Sequence, residues 1–105
     1  MNLVERDGGS LGFRPEHFLP REMLNGSPLA EMPFRIDRME YLGSERILYG
    51  EIEGRRAKRL VTAKLPAHAA SDSLRAGDKH AFAVRRSELH FFDKQGRRTR
   101  EGVVQ

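Results

Sequence analysis

Glycines and prolines interrupt this sequence at short intervals, and their spacing limits the chain to short structural elements. The 105 residues include ten glycines and five prolines, and the stretches between them show no sustained helical period. Several of these stretches instead have the alternation, or the branched and aromatic content, that is typical of strands. Six strands are predicted, at residues 11–14, 34–41, 46–53, 60–65, 79–85 and 89–93. The sequence therefore predicts an all-β domain.

The predicted strand at residues 34–41 changes its alternation along its length. Phe34 and Ile36 share one parity, whereas Met39 and Tyr41 share the other. Because successive side chains of a strand point to opposite faces, such a change predicts a bulge or a corner. A small sheet with two free edges invites pairing with other chains, so we expect the strands to curl into a closed or nearly closed antiparallel barrel.

We expect this barrel to occupy residues 11–96. Residues 1–10 contain Gly8-Gly9-Ser10 and are predicted to be a flexible N-terminal segment. Residues 97–105 are predicted to be a basic tail that frays. The proline-rich and glycine-rich stretch at 20–33 is predicted to be a loop with at most one helical turn. A second short helical turn could form at residues 67–74.

Composition and motifs exclude several kinds of chemistry. The chain has no cysteine, which excludes disulfides and thiolate metal sites. Its histidines are scattered and its serines lack a nucleophile elbow, so we expect neither a metal site nor catalysis. No glycine-rich loop carries the Lys-Ser/Thr ending that binds phosphates, so no nucleotide cofactor is expected. No apolar run approaches the roughly 20 residues that span a bilayer, and residues 1–10 have no apolar core, so we expect neither a membrane span nor a secretory signal.

Three segments are distinctive in their order and spacing. They are Gly12-Phe13-Arg14-Pro15-Glu16-His17, Met39-Glu40-Tyr41-Leu42-Gly43-Ser44-Glu45, and Leu74-Arg75-Ala76-Gly77-Asp78 followed by Leu89-His90-Phe91-Phe92-Asp93. They resemble the G-[IF]-R-P-E-H, V-E-x-L-G-x-E, and L-x-x-G-D and L-H-L-F-D segments of transport-associated OB (TOBE) domains. Such domains follow the nucleotide-binding domain in the ATP-binding subunits of ABC importers of the maltose and glycerol-phosphate type.

The resemblance implies an OB-like barrel of about five to six strands with a loop-rich N-terminal part. It also implies a longer parent protein that binds ATP and Mg²⁺ in another domain and couples hydrolysis to the import of a solute, expected to be a carbohydrate. The barrel would then contribute to dimerisation with a second ATP-binding subunit and to regulatory contacts. The parent would work with membrane permease subunits at the cytoplasmic face of the bacterial inner membrane.

The residues of these segments also have a physical interpretation. Pro15 has no N–H donor and should end its strand. Arg14 and Glu16 share one face of an extended backbone, so they are expected to pair with each other or with neighbouring strands. Gly43 and Gly77 are expected in tight turns that require a positive φ.

Apolar residues in the loop-rich stretch are candidates for the interface with a partner, because they cannot all enter a small core. These candidates are Phe18, Leu19, Met23, Leu24, Leu29 and Met32. The alternative is that they cover one end of the barrel.

The sequence is also compatible with two other functions. The net charge of +4 and the basic runs at 55–59, 85–86 and 97–100 permit binding of single-stranded nucleic acid, with Tyr41, Tyr49 and Phe92 as stacking candidates. Solvated turn charges explain these runs as well, so no nucleic-acid partner is expected. The third hypothesis is an oxyanion sensor that uses Arg14, Arg35 and Lys64.

Overall fold

A computed structural model describes residues 1–66 and 73–99 of the chain. This part contains nine strands: β1 Asn2–Arg6, β2 Gly9–Phe13, β3 Leu19–Pro20, β4 Leu29–Leu42, β5 Glu45–Ile52, β6 Val61–Pro66, β7 Lys79–Arg85, β8 His90–Asp93 and β9 Arg98–Thr99. Its helical segments are the 3-10 turns Pro15–His17, Arg21–Met23 and Arg86–Glu88. None of its helices is long and apolar enough to cross a membrane. The helical turn predicted at 67–74 falls mostly outside the described residues.

The strands form two curled antiparallel sheets that enclose one core. One sheet has the order β1-β2-β8-β9 and the other the order β3-β7-β4-β5-β6. Four phenylalanine rings occupy the centre of the core, each buried and within about 5 Å of a neighbouring ring centroid: Phe13, Phe18, Phe34 and Phe82. The prediction of an all-β, OB-like barrel is confirmed. The described residues form nine strands where six are predicted, and two of the three additional strands are only two residues long.

The long strand β4 bends at the position that the change of alternation predicts. Its pairing with β5 shifts register between Ile36 and Arg38, which is a bulge. Leu29–Arg35 pair with β7, whereas the strand from Phe34 onward pairs with β5. The turn before β7 holds the bend, because the N–H of Gly77 donates to the carbonyl of Ile36 at 2.6 Å. The bend therefore lets one strand serve both halves of the larger sheet.

The prediction of a loop through Pro33 is wrong for residues 29–33, which form the first part of β4. Pro33 is tolerated there because of the direction in which its backbone points. Its carbonyl points toward β5 and accepts a hydrogen bond from the N–H of Glu53, the residue that follows the end of β5. The nitrogen of the same residue points the same way, so Pro33 removes no donor from the ladder with β7.

The N-terminal residues differ from the flexible segment that the sequence predicts. Asn2–Arg6 form β1, and Gly9 begins β2. The reason is burial, since Val4 is almost completely buried in the core. The Asn2 side chain also bonds the backbone of Thr62, with its Nδ2 donating to the carbonyl at 2.8 Å and its Oδ1 accepting from the N–H at 2.8 Å. These bonds join β1 to β6 and close the gap between the two sheets.

Candidate interaction surfaces

The segment from Gly12 to His17 carries the chain from β2 into the loop-rich part. Gly12 lies beneath Phe92 and Met1, and a Cβ atom there would come within 2.9 Å of the Phe92 ring. Pro15 begins a 3-10 turn, in which the N–H of His17 donates to the carbonyl of Arg14 at 3.0 Å. Strand β2 ends at Phe13, two residues before Pro15. The segment is thus a structural corner.

The charged residues of this corner contact one another or the 3-10 turn Arg86–Glu88. Arg14 and Glu16 form an exposed ion pair at 3.9 Å, and such a pair contributes about 1 kcal/mol at most. The pair is the predicted one, but Glu16 lies in the 3-10 turn and not on the extended backbone from which it was predicted. His17 Nε2 lies 3.5 Å from a carboxylate oxygen of Glu88.

Burial lowers the pKa of His90, and the positive charges of Arg98 and Arg14 lower it further. These effects all favour the neutral form of His90.

The two other family segments form turns. Gly43 follows the exposed Leu42 at the tip of the β4–β5 hairpin, with φ of +60°. Gly77 has φ of +96°, and the Asp78 side chain accepts a hydrogen bond from the N–H of Arg75 at 2.9 Å, which closes the turn before β7. Both glycines have the positive φ that the turn interpretation requires.

The interface candidates divide into two groups, and the structure differs from the prediction for the first. Phe18, Leu24 and Met32 are buried within the chain, which removes them from any surface that a partner contacts. Phe18 and Leu24 directly follow the two 3-10 turns at 15–17 and 21–23, which fold the chain back against the barrel, whereas Met32 lies on the inward face of β4.

The second group keeps part of its surface. Leu19, Met23 and Leu29 are half-buried. Leu19 and Met23 also line a shallow groove together with Pro66. These two residues remain available to a partner.

Two of the three aromatic side chains named for nucleic-acid stacking, Tyr41 and Tyr49, lie on the β4–β5 hairpin and outside the basic runs. The Tyr49 hydroxyl donates to Glu40 at 2.8 Å, and the Arg38 guanidinium lies 4.4 Å from the ring centroid. Tyr41 is exposed at the tip of the β4–β5 hairpin, whereas the run at 55–59 lies in the connection between β5 and β6. Phe92 is half-buried and pairs in register with Arg98 of the run at 97–100. Of the three stacking candidates, it is the one that the strands place beside a basic run.

The oxyanion candidates each have a carboxylate partner. Besides Arg14, Arg35 contacts Glu51 at 3.1 Å, and Lys64 contacts Glu45 at 3.4 Å. A carboxylate beside each cation opposes the binding of an anion. Within residues 1–66 and 73–99, no cluster of three histidine or carboxylate side chains is placed to hold a metal ion. His68 and Arg100 lie outside the described residues.

Comparison with known proteins agrees with the geometry. The TOBE domain family matches residues 11–92. The chain is also similar to the sn-glycerol-3-phosphate import ATP-binding protein UgpC of Ruegeria pomeroyi, with 36% identity over 95 residues that make up 88% of this chain and 23% of that protein. The chain thus spans about a quarter of the length of this relative. Because the family match covers most of the curled antiparallel barrel, the chain belongs to the TOBE domain family.

Proposed function

We propose that this TOBE domain is the accessory part of an ATP-binding subunit of an ABC importer. The supporting observation is the 36% identity, over most of the chain, to an import ATP-binding protein that is about four times longer. The 105 residues contain no G-x-x-x-x-G-K-[ST] loop, whose backbone amides and lysine hold the phosphates of ATP in such enzymes. ATP and Mg²⁺ therefore belong to the remaining part of the subunit, and the barrel contacts proteins.

The relative's name suggests the type of solute. A subunit of this kind would drive the uptake of a carbohydrate or of a polyol phosphate such as sn-glycerol 3-phosphate. It would do so together with membrane permease subunits, at the cytoplasmic face of the membrane.

The division of labour is testable with a chimera. The matched quarter of the sn-glycerol-3-phosphate import ATP-binding protein is replaced by this chain, and ATP hydrolysis is measured. We expect hydrolysis by the chimera, and no heat of binding when ATP and Mg²⁺ are titrated into the 105-residue chain alone. Saturable ATP binding by the isolated chain would contradict the proposal.

We further propose that the barrel contacts the barrel of a second copy. The half-buried Leu19 and Met23, which line a groove with Pro66, are the predicted interface residues that can still reach a partner. Apolar side chains at the centre of a polar rim are typical of such contacts.

Sedimentation velocity tests this second contact. We expect a concentration-dependent dimer, which Met23→Glu shifts toward the monomer because it places a charge in the contact. Gln95→Glu introduces the same charge in the exposed turn before β9 and should leave the dimer unchanged. A chain that stays monomeric at every concentration, or a Met23→Glu variant that dimerises like the original chain, would count against this contact.

A further inference from the structure

A groove of about 630 Å³ lies between β1 and the connection that leads from β5 to β6. Three of the large apolar side chains that the described residues expose line it together: Met1 is 63% exposed, Leu3 52% and Leu60 46%. Pro15 and Ala57 add further apolar surface. Single exposed apolar residues are ordinary, but three that meet in one concave site form a surface suited to binding.

The same groove carries basic side chains. Lys58 and Arg59 line it, and Arg55 and Arg56 precede them in the same connection, where all four residues are exposed. In the described part of the chain, Arg56, Lys58 and Arg59 form no ion pair with a carboxylate. By contrast, Arg14, Arg35 and Lys64 each have such a partner. The connection therefore presents positive charge that the chain does not neutralise.

The groove is held in place at both ends. The N–H of Glu5 donates to the carbonyl of Arg56 at 2.8 Å, and the Asn2 side chain makes its two hydrogen bonds to Thr62. These contacts fix β1 against the residues before and after the basic connection. A surface that is already ordered loses less conformational entropy when a ligand binds.

We propose that this groove binds an acidic, partly apolar segment of a partner protein. Carboxylates of the partner would meet Lys58 and Arg59, while apolar side chains would cover Leu3 and Leu60. Charge complementarity supports this occupant, because unpaired cations at the rim of an apolar site select for acidic partners. The inference rests on these residues alone and holds whether or not the barrel dimerises.

The geometry favours a protein segment over two other anionic partners. None of the described residues that line the groove is aromatic, so single-stranded nucleic acid would find no stacking surface there. A lipid bilayer is met by a protruding amphipathic face, whereas this site is concave.

The test uses a short labelled peptide of alternating Glu and Leu and the 105-residue chain. Fluorescence anisotropy gives the Kd, and amide chemical shifts give the place of binding. We expect shifts at residues 1–5 and 56–62 and binding that weakens as salt rises. The double variant Lys58→Gln, Arg59→Gln should weaken binding roughly tenfold, and Leu60→Ser about three- to tenfold.

Matched controls distinguish this site from general attraction to a basic protein. Arg98→Gln removes a positive charge from β9, outside the groove, and should leave the Kd unchanged. A peptide with Lys in place of Glu should not bind, and one with Ser in place of Leu should bind weakly. Amide shifts outside the groove, equal weakening by Arg98→Gln, or tighter binding of phosphatidylserine vesicles or of oligothymidine would overturn the proposal. The substituted side chains are solvent-exposed, so each variant should remain folded, which the amide spectrum verifies.

Discussion

Replacement of Phe18 by alanine tests whether this side chain is part of the core or part of an interface with a partner. Its ring is fully buried, and its centroid lies 5.1 Å from that of Phe13 and 5.0 Å from those of Phe34 and Phe82. Removal of such a ring costs the transfer free energy of its carbons and leaves a cavity, which together amount to about 3–5 kcal/mol. A small domain has a total stability of about 5–15 kcal/mol, so this loss is a large fraction of it.

Urea unfolding measures this loss as a fall in the free energy of unfolding. Phe18→Leu, which keeps part of the volume, should lose about 1–2 kcal/mol and provides a folded variant if Phe18→Ala does not fold. Leu3→Ala removes an exposed side chain and should change stability by no more than about 0.5 kcal/mol. If Phe18→Ala lost less than about 1 kcal/mol and instead weakened self-association, Phe18 would be an interface residue and the core described here would be wrong.

Three further changes test the closure of the barrel and its turns. Asn2→Ala should cost about 1–3 kcal/mol, because it leaves the N–H and the carbonyl of Thr62 unpaired; unaltered hydrogen exchange at the Thr62 amide would argue against this closure. Gly77→Ala should destabilise the chain by about 1 kcal/mol or more in urea, since φ there is +96°; an equally stable variant would show that the turn relaxes freely. The backbone N–H of Arg97 donates to the Asp93 carboxylate and lowers its pKa below the ordinary value of 3.8. The ionised Asp93 therefore stabilises the fold fully above pH 3.8, and this contribution is lost as the pH falls through the lower pKa of the folded chain. In an NMR titration, the Arg97 amide should follow this transition in the original chain and not in Asp93→Asn.

Local pattern predicts the strands of this chain well where one face is apolar. The alternation of β7 gives its bounds without error, and the change of parity after Ile36 predicts the bulge of β4. Strand β1 is not predicted, because Val4 is the only apolar residue that it places in the core. The charged residues Glu5, Arg6 and Asp7 follow directly and leave too few apolar positions to show an alternation. Its pairing across the barrel, from Asn2 to Thr62, joins residues 60 positions apart, and no local pattern contains such information.

Burial of the apolar loop residues is equally beyond local pattern. Phe18 and Met23 both lie in a stretch rich in prolines and glycines, yet only Phe18 is fully buried. The direction in which the two 3-10 turns carry the chain decides this difference, and it depends on the whole barrel. The same holds for the groove at Leu3 and Leu60, whose side chains meet only after β1 closes against β6. The sequence shows the basic run at 55–59 and the adjacent Leu60, but it does not show that Met1 and Leu3 line the same groove.

The most direct test of the proposed role is the uptake of sn-glycerol 3-phosphate by cells whose import ATP-binding protein carries this chain in place of its own matched quarter. We expect uptake well above that of cells whose subunit lacks this quarter. The same chimera with Phe18→Ala should lose most of this gain, because its barrel is destabilised. A folded chimera that hydrolyses ATP but restores no more uptake than the truncated subunit would contradict the assignment of this barrel to an importer.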